Sequence, residues 1–162
     1  MIFVTVGAQM PFDRLIRWAD AWAGSQGRSD VVAQIGPSAF APLHLRATQF
    51  LDPPEFRRQM REAQAIVSHA GVGTILDALA LGRPLLVVPR LGRLAETRND
   101  HQVATAQRFA AEGLVRAAYS EAQFAEEMQR LGSAAARPGS ARGAEPRLLA
   151  RIREYARAAA PR

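Results

Sequence analysis

The sequence predicts an α/β fold, a Rossmann-like parallel sheet with helices on both faces. Three observations carry this reading. Residues 2–6, 31–35, 65–67 and 85–88 are nearly continuous apolar runs, the pattern of strands covered on both sides. Segments with apolar residues at helical spacing alternate with them, so strand and helix succeed one another along the chain. Two of the strands run into a glycine turn and then a helix, at Gly7 and at Gly71-Val72-Gly73.

Taken in order, residues 2–6 (IFVTV) make a β-branched first strand ending at Gly7-Ala8-Gln9. Pro11 precedes a helix that carries Phe12, Leu15, Ile16, Ala19 and Trp22 on one face. After a polar loop, the strand at 31–35 stops at Gly36-Pro37, and residues 45–50 alternate weakly as a short strand. Asp52-Pro53-Pro54 caps a helix to about Ala63, with proline in the first turn where its missing N–H is not needed. Then comes a strand–helix–strand unit of crossover length. Its strand, residues 65–67, enters the turn Ser68-His69-Ala70-Gly71-Val72-Gly73. Thr74 opens a helix with Ile75, Leu76, Leu79 and Ala80 at helical spacing; Gly82 and Pro84 stop it before the strand at 85–88. Beyond a basic loop at 90–98, Asn99-Asp100 caps a helix through Ala111 that Gly113 closes. Leu114-Val115 reads as a last short strand, and Ser120 caps a helix to about Leu131.

These elements place a sheet domain in residues 1–131, an Ala-, Ser-, Gly- and Pro-rich flexible linker in 132–145, and a basic helix in 146–162. That helix gathers Leu148, Leu149, Ile152, Tyr155 and Ala156 on one side, a stripe suited to docking on its own domain or on a partner. The chain of 162 residues has single-domain length for its sheet. Without cysteine it has no disulfide, thiolate metal site or cysteine nucleophile, and without lysine it has no P-loop. No apolar run approaches the ~20 residues of a membrane span, and the N-terminus lacks a basic leader region, which predicts a soluble intracellular protein.

The net charge of +6 is concentrated at one end. Residues 1–129 hold 13 Arg against 13 Asp plus Glu, whereas residues 130–162 hold 8 Arg against 2 Glu. No nucleic-acid motif or interleaved aromatic series accompanies this tail, so nucleic acid is not the expected partner. An anionic membrane surface or an acidic protein suits the pattern, as does a plain solvated tail.

The glycine turns bring in the chemistry. Glycine before a helix lets a ligand approach the backbone, and the helix's first amides, unpaired and at the positive end of the dipole, favour an anion such as a phosphate. The same turn without a ligand is the plain structural alternative. The full dinucleotide fingerprint is absent, since Leu76 stands where its third glycine would be. If the strands are parallel, both glycine junctions lie at the carboxyl edge of the sheet, where open α/β folds bind ligands. His69, inside the second turn, can donate to a phosphate or act as an acid–base group, or simply pack beneath the turn. Asp77, one turn beyond Thr74, can take ribose hydroxyls or merely favour the helix dipole. Arg98-Asn99-Asp100-His101-Gln102 is a dense polar group at a helix start; capping explains one residue, and the donors and acceptors of His101 and Gln102 suit sugar hydroxyls. Three scattered histidines (His44, His69, His101) and no DxD pair predict metal-independent chemistry.

Three segments, MIFVTVGAQMPFDRLI, SHAGVGTILDALALGRPLLVVPR and RNDHQVATA, together resemble the C-terminal, donor-binding half of family 28 glycosyltransferases. The resemblance covers about residues 1–130 and is strongest to the split type, in which this half is a separate subunit in lipid-linked-oligosaccharide or bacterial exopolysaccharide synthesis. It implies a GT-B C-terminal half-domain that binds a UDP-sugar with neither metal nor cofactor. It also implies a membrane-anchored partner subunit with the acceptor half, a lipid-linked sugar acceptor, peripheral placement at the inner face of the cytoplasmic membrane, and no activity without the partner. By position, the resemblance puts Gly7, Ala8 and Gln9 at the interdomain cleft and Leu51, in the Phe50-Leu51 segment, against the uracil. Gly71, Val72, Gly73 and Thr74 would cradle the diphosphate, Asp77 would bind ribose, and His101 and Gln102 would face the donor sugar. His101 departs from a glutamine in the related muropeptide enzymes, which leaves N-acetylglucosamine, glucuronate and glucose open; the arginine-rich loop 90–98 suits an acidic sugar. A non-catalytic UDP-sugar-binding or scaffolding module is the alternative from another class.

Overall fold

In the computed structural model, residues 1–135 and Ala150 are described. Six strands form one sheet in the order β3-β2-β1-β4-β5-β6, and every pair is parallel. The strands are β1 (Ile2–Thr5), β2 (Val31–Gln34), β3 (Arg46–Thr48), β4 (Ala65–His69), β5 (Leu85–Val88) and β6 (Arg116–Ala117). Between and after them run α1 (Asp13–Ser25), α2 (Pro53–Glu62), α3 (Val72–Ala80), α4 (His101–Ala111) and α5 (Glu121–Ala135). The chain winds outward from β1 to β3, then crosses back to β4 and winds the other way. The strand order therefore reverses between β1 and β4, where Thr5 and Ser68 are level in register. Folds of this kind leave a crevice at that switch point, above the carboxyl ends of the strands.

Period-two alternation sorts the strand side chains into two cores. Val4, Val31, Ala33, Val67, Leu86 and Val88 pack with Leu15, Ile16 and Trp22 of α1 and Phe124, Met128 and Leu131 of α5. Phe3, Ile66, Leu85 and Val87 face the other way, onto Met60 of α2, Ile75 and Leu79 of α3 and Phe109 of α4. Each fully buried Leu, Ile or Phe contributes about 2–3 kcal/mol of transfer free energy, so the sheet is held from both sides. Asp52 caps α2 by accepting from Glu55 N–H at 2.8 Å, and Ser120 accepts from Gln123 N–H at 3.3 Å ahead of α5.

The structure departs from the sequence reading at four boundaries. β4 runs on through Ser68 and His69, whose positions pair with Val87 and Val88, so His69 ends a strand rather than sitting in a free turn. α3 begins at Val72, two residues ahead of Thr74. The last strand is Arg116–Ala117 instead of Leu114-Val115. Leu114 is still tied to the preceding helix through its N–H to Phe109 O (3.0 Å), with Gly113 at φ +69 making the reversal, so pairing with Leu86 starts only at Arg116. α5 continues to Ala135, past Leu131. The linker beyond Ala135 and the helix expected at 146–162, Ala150 apart, lie outside the described residues. No helix among the described residues is long and apolar enough to cross a membrane.

Candidate functional site

At the switch point, the β1–α1 and β4–α3 junctions face each other. Gly7, at φ +77, turns the chain out of β1, with its N–H donated to Thr5 Oγ1 at 3.2 Å. Across the crevice, α3 starts at Gly71 with no side chain capping it, and its first internal bond is from Ile75 N–H to Gly71 O at 3.1 Å. The amides of Val72, Gly73 and Thr74 precede that bond and stand at the positive end of the helix.

The glycines of the second turn do different work. A Cβ on Gly71 would lie 2.3 Å from His69 Nε2, and one on Gly7 would lie 3.0 Å from His69 Cε1. The two glycines thus make room for the imidazole, which is wedged between the junctions. A Cβ on Gly73 would meet nothing within 4 Å, so the space over the α3 amides is open.

His69 is correspondingly perturbed. Desolvation, then the positive charge of Arg90, lower its pKa to about 4, and the Thr5 carbonyl offsets this only in part. Nδ1 has no hydrogen-bond partner of normal geometry among the described residues. An imidazole of that acidity is neutral at neutral pH, so it keeps one ring N–H to donate in a hydrogen bond but lacks the imidazolium proton.

Arg90 follows β5 and turns inward, 4% exposed. Its Nη2 donates to Val6 O (2.7 Å) and Met10 O (2.8 Å), and its Nη1 to Pro11 O (2.6 Å) and Glu96 O (3.1 Å). The guanidinium carbon sits 4.7 Å from the Phe12 ring centroid. Burial lowers the Arg90 pKa, with Glu96 partly opposing. Beside it, Arg14 clasps Glu96 through two 2.8 Å bonds, and Glu96 also accepts from Leu91 N–H at 2.9 Å. This network locks the β1–α1 loop to the loop after β5.

Gln102, 6% exposed in the first turn of α4, accepts from Ala70 N–H (3.2 Å) and Arg90 N–H (3.1 Å) on Oε1. Two amide donors onto one atom identify that atom as the oxygen, so its NH2 group is the end left for other contacts. His101 is exposed, with Nδ1 directed at Asn99 Oδ1.

Two adjoining cavities result. One, of about 410 Å³, is lined by Gly7, Ala8, Gln9, His69, Gly71, Gly73, Thr74, Arg90, Thr97, His101 and Gln102, among others. The other, of about 630 Å³, lies toward α2 and α3 and is walled by Leu51, Pro53, Phe56, Met60, Asp77 and Leu81, with Gln34 among its other lining residues. Gly7 and Ala8 border both. The pair forms a trough with a polar end over helix amides and a more apolar end beyond it, a shape that suits an elongated ligand carrying an anionic group.

A sequence-family model described as "Glycosyltransferase family 28 C-terminal domain" matches residues 1–147. This chain belongs to that family. The mouse and human proteins named "UDP-N-acetylglucosamine transferase subunit ALG13" are each 32% identical to it, over 121 and 122 residues, or 68% and 69% of this chain. The chain spans only 10% of the length of those relatives. Among solved structures, the glycotransferase of kitacinnamycin superposes at a TM-score of 0.63 with 18% identity, covering 97% of this chain and 39% of that one. An NMR structure of ALG13 superposes at 0.57 with 20% identity, covering 82% and 85%. At these identities the structural likeness shows the fold, the Rossmann-like half of a GT-B glycosyltransferase.

Within this family 28 domain, the structure brings Gly7, Ala8, Gln9, His69, Gly71, Gly73, Thr74, His101 and Gln102 to one cavity and Leu51 and Asp77 to its neighbour. Val72, Asn99 and Asp100 do not line either. Asn99 Oδ1 accepts from His101 N–H at 3.3 Å, and Asp100 Oδ1 accepts from Gly92 N–H at 2.7 Å, so both side chains serve the local turn. Arg90 was legible only as part of a basic loop; its charge faces backbone carbonyls, and only Arg93 and Arg98 of that loop are exposed arginines. Gln34 passed as an ordinary strand residue. Its place at the carboxyl end of β2, next to the switch point, is the signal that could have found it.

Proposed function

We propose that this chain is the donor-binding subunit of a two-component, inverting glycosyltransferase that moves a sugar from UDP to a polyprenyl-diphosphate-linked acceptor. The observation that carries the reading is the open space over the uncapped α3 amides, next to a second cavity lined by Leu51 and Asp77 that shares Gly7 and Ala8 with it. The amides of Val72, Gly73 and Thr74 would hold the diphosphate, Asp77 the ribose and Leu51 the uracil. Gln102 NH2 and His101 would meet the donor sugar, with Gly7, Ala8 and Gln9 forming the opposite lip. The sugar-transferase naming of the relatives and the family assignment support the same donor class.

In the reaction an acceptor hydroxyl attacks the anomeric carbon, the bond from that carbon to the β-phosphate oxygen breaks, and UDP departs with the electron pair. Charge building on that oxygen would be stabilised by the α3 amides and dipole, in place before reaction. No metal is needed for this in our reading. The hydroxyl proton goes to a base on the partner subunit, because the His69 ring is wedged against Gly7 and Gly71 and the cavity over α3 has no carboxylate among its described lining residues. The partner is membrane-anchored, which places this chain at the inner face of the membrane, and the basic residues after Arg130 favour the partner or anionic headgroups. The pairing with bacterial exopolysaccharide or glycan synthesis belongs to the same proposal.

The lack of a carboxylate among the described residues lining the cavity over α3 also favours a second reading, a module that binds UDP-sugar without turnover. Release of UDP from a panel of UDP-sugars, using the chain purified with its partner and a lipid-linked acceptor, separates them. Turnover with one donor of the panel supports the transferase; tight binding of a UDP-sugar with no turnover by the complex supports the module.

A further inference from the structure

We propose that Gln34 hydrogen-bonds the base of the donor nucleotide; this rests on the reading above that the paired cavities take a uridine diphosphate. Gln34 ends β2 at the carboxyl edge of the sheet, paired with Thr5 beside the switch point. Alternation along β2 sends Val31 and Ala33 into the α1 side of the sheet and Val32 to the opposite side, so Gln34 shares the face of α2 and α3. There it lines the larger cavity with Leu51, Phe56, Met60 and Asp77.

The side chain is 4% exposed, and its Oε1 is buried with no hydrogen-bond partner among the described residues. The fold does not require this. Strand pairing at Gln34 uses the backbone, whose carbonyl accepts from Val6 N–H at 3.2 Å, and methionine would fill the same volume without an unpaired oxygen. A carboxamide held unsatisfied beside an apolar-walled cavity is a group awaiting a partner from outside the chain.

Its chemistry matches a base edge. A carboxamide sets one acceptor next to one donor, and uracil sets its N3–H between two carbonyls, so the two can pair through two hydrogen bonds. The terminal torsion of glutamine is broad, so either end of the amide can be turned to the ligand. Because Gly7 and Ala8 border both cavities, a diphosphate over the α3 amides directs the nucleoside toward Gln34.

Titration calorimetry of the full chain with its partner subunit, using UDP and inorganic pyrophosphate, for wild type and Gln34→Met, tests this. Wild type should bind UDP at least tenfold more tightly than pyrophosphate. Gln34→Met should weaken UDP at least tenfold, leave pyrophosphate within about threefold of wild type, and melt no lower than wild type. Gln34→Glu, which keeps an acceptor and loses the donor, should fall between the two and serves as the deciding variant if Gln34→Met does not fold. An unchanged UDP affinity in the folded variant overturns the assignment and leaves the donor-site reading standing. Failure of wild type to bind UDP overturns both.

Discussion

The two glycine junctions at the switch point look alike in sequence and are built for opposite tasks. At the β1–α1 junction the backbone presents carbonyls, and Val6, Met10 and Pro11 all give theirs to Arg90. At the β4–α3 junction it presents amides, and nothing in the described chain caps them with a side chain. One junction has its partner inside the protein and serves as a fixed wall; the other leaves its first amides without a side-chain cap among the described residues. A glycine turn alone therefore does not mark a binding site. What marks it is where the turn's backbone hydrogen bonds go.

If that contrast holds, the largest effect comes from the wall. Arg90→Ala strips four carbonyls of their donor and opens a gap beside Phe12, and should cost on the order of 3–5 kcal/mol in denaturant-unfolding experiments. Arg90→Lys cannot reach four acceptors with one compact ammonium and should recover only part of the loss.

Next is the imidazole between the junctions. Its folded pKa, about 4, lies below the ordinary 6.5, so the unfolded chain binds more protons between those values. Stability should therefore fall as pH drops from about 6.5 to about 4, by at most about 3 kcal/mol, and His69→Asn should flatten that slope. Urea unfolding at a series of pH values checks it; parallel slopes in the two proteins would show that His69 does not titrate as described.

Gly71→Ala drives a methyl into the His69 ring and should destabilise by about 1–3 kcal/mol, read as a lowered melting temperature. His69→Ala in the same chain should relieve most of it, since the clash is with that ring. Smaller again is Gln102→Leu. It leaves two buried amides, of Ala70 and Arg90, without their acceptor and should cost about 1–2 kcal/mol in the same melting experiment.

Much of this fold was legible because strands β1, β2, β4 and β5 are covered on both faces and must be apolar almost throughout. β3, an edge strand reading Arg46-Ala47-Thr48, left only a weak alternation, and β6 was displaced because Leu114 belongs to the helix cap before it. The cavity over α3 was legible where backbone lines it, at Gly7, Gly71 and Gly73, since glycine placement is a local property. It was not legible where a side chain's direction is decided by distant elements. Arg90 turns inward to carbonyls some 80 residues earlier in the chain, Asn99 and Asp100 turn away to their own loop, and His69 is wedged between both junctions at once. Gln34 shows the same limit, because its cavity is formed by α2 and α3, which follow it in sequence.

The central claim is that the open α3 amides hold a diphosphate, and Gly73→Val tests it most directly, because beyond its chain neighbours and the backbone of α3 no atom of the described residues lies within 4 Å of the added Cβ. UDP should be titrated calorimetrically into the assembled pair of subunits, wild type and variant, with melting curves recorded for both. The account predicts that wild type binds UDP, and that the variant melts within a few degrees of it yet binds at least tenfold more weakly. Equal UDP affinity in the two, or no heat from wild type with any uridine diphosphate compound, would contradict it.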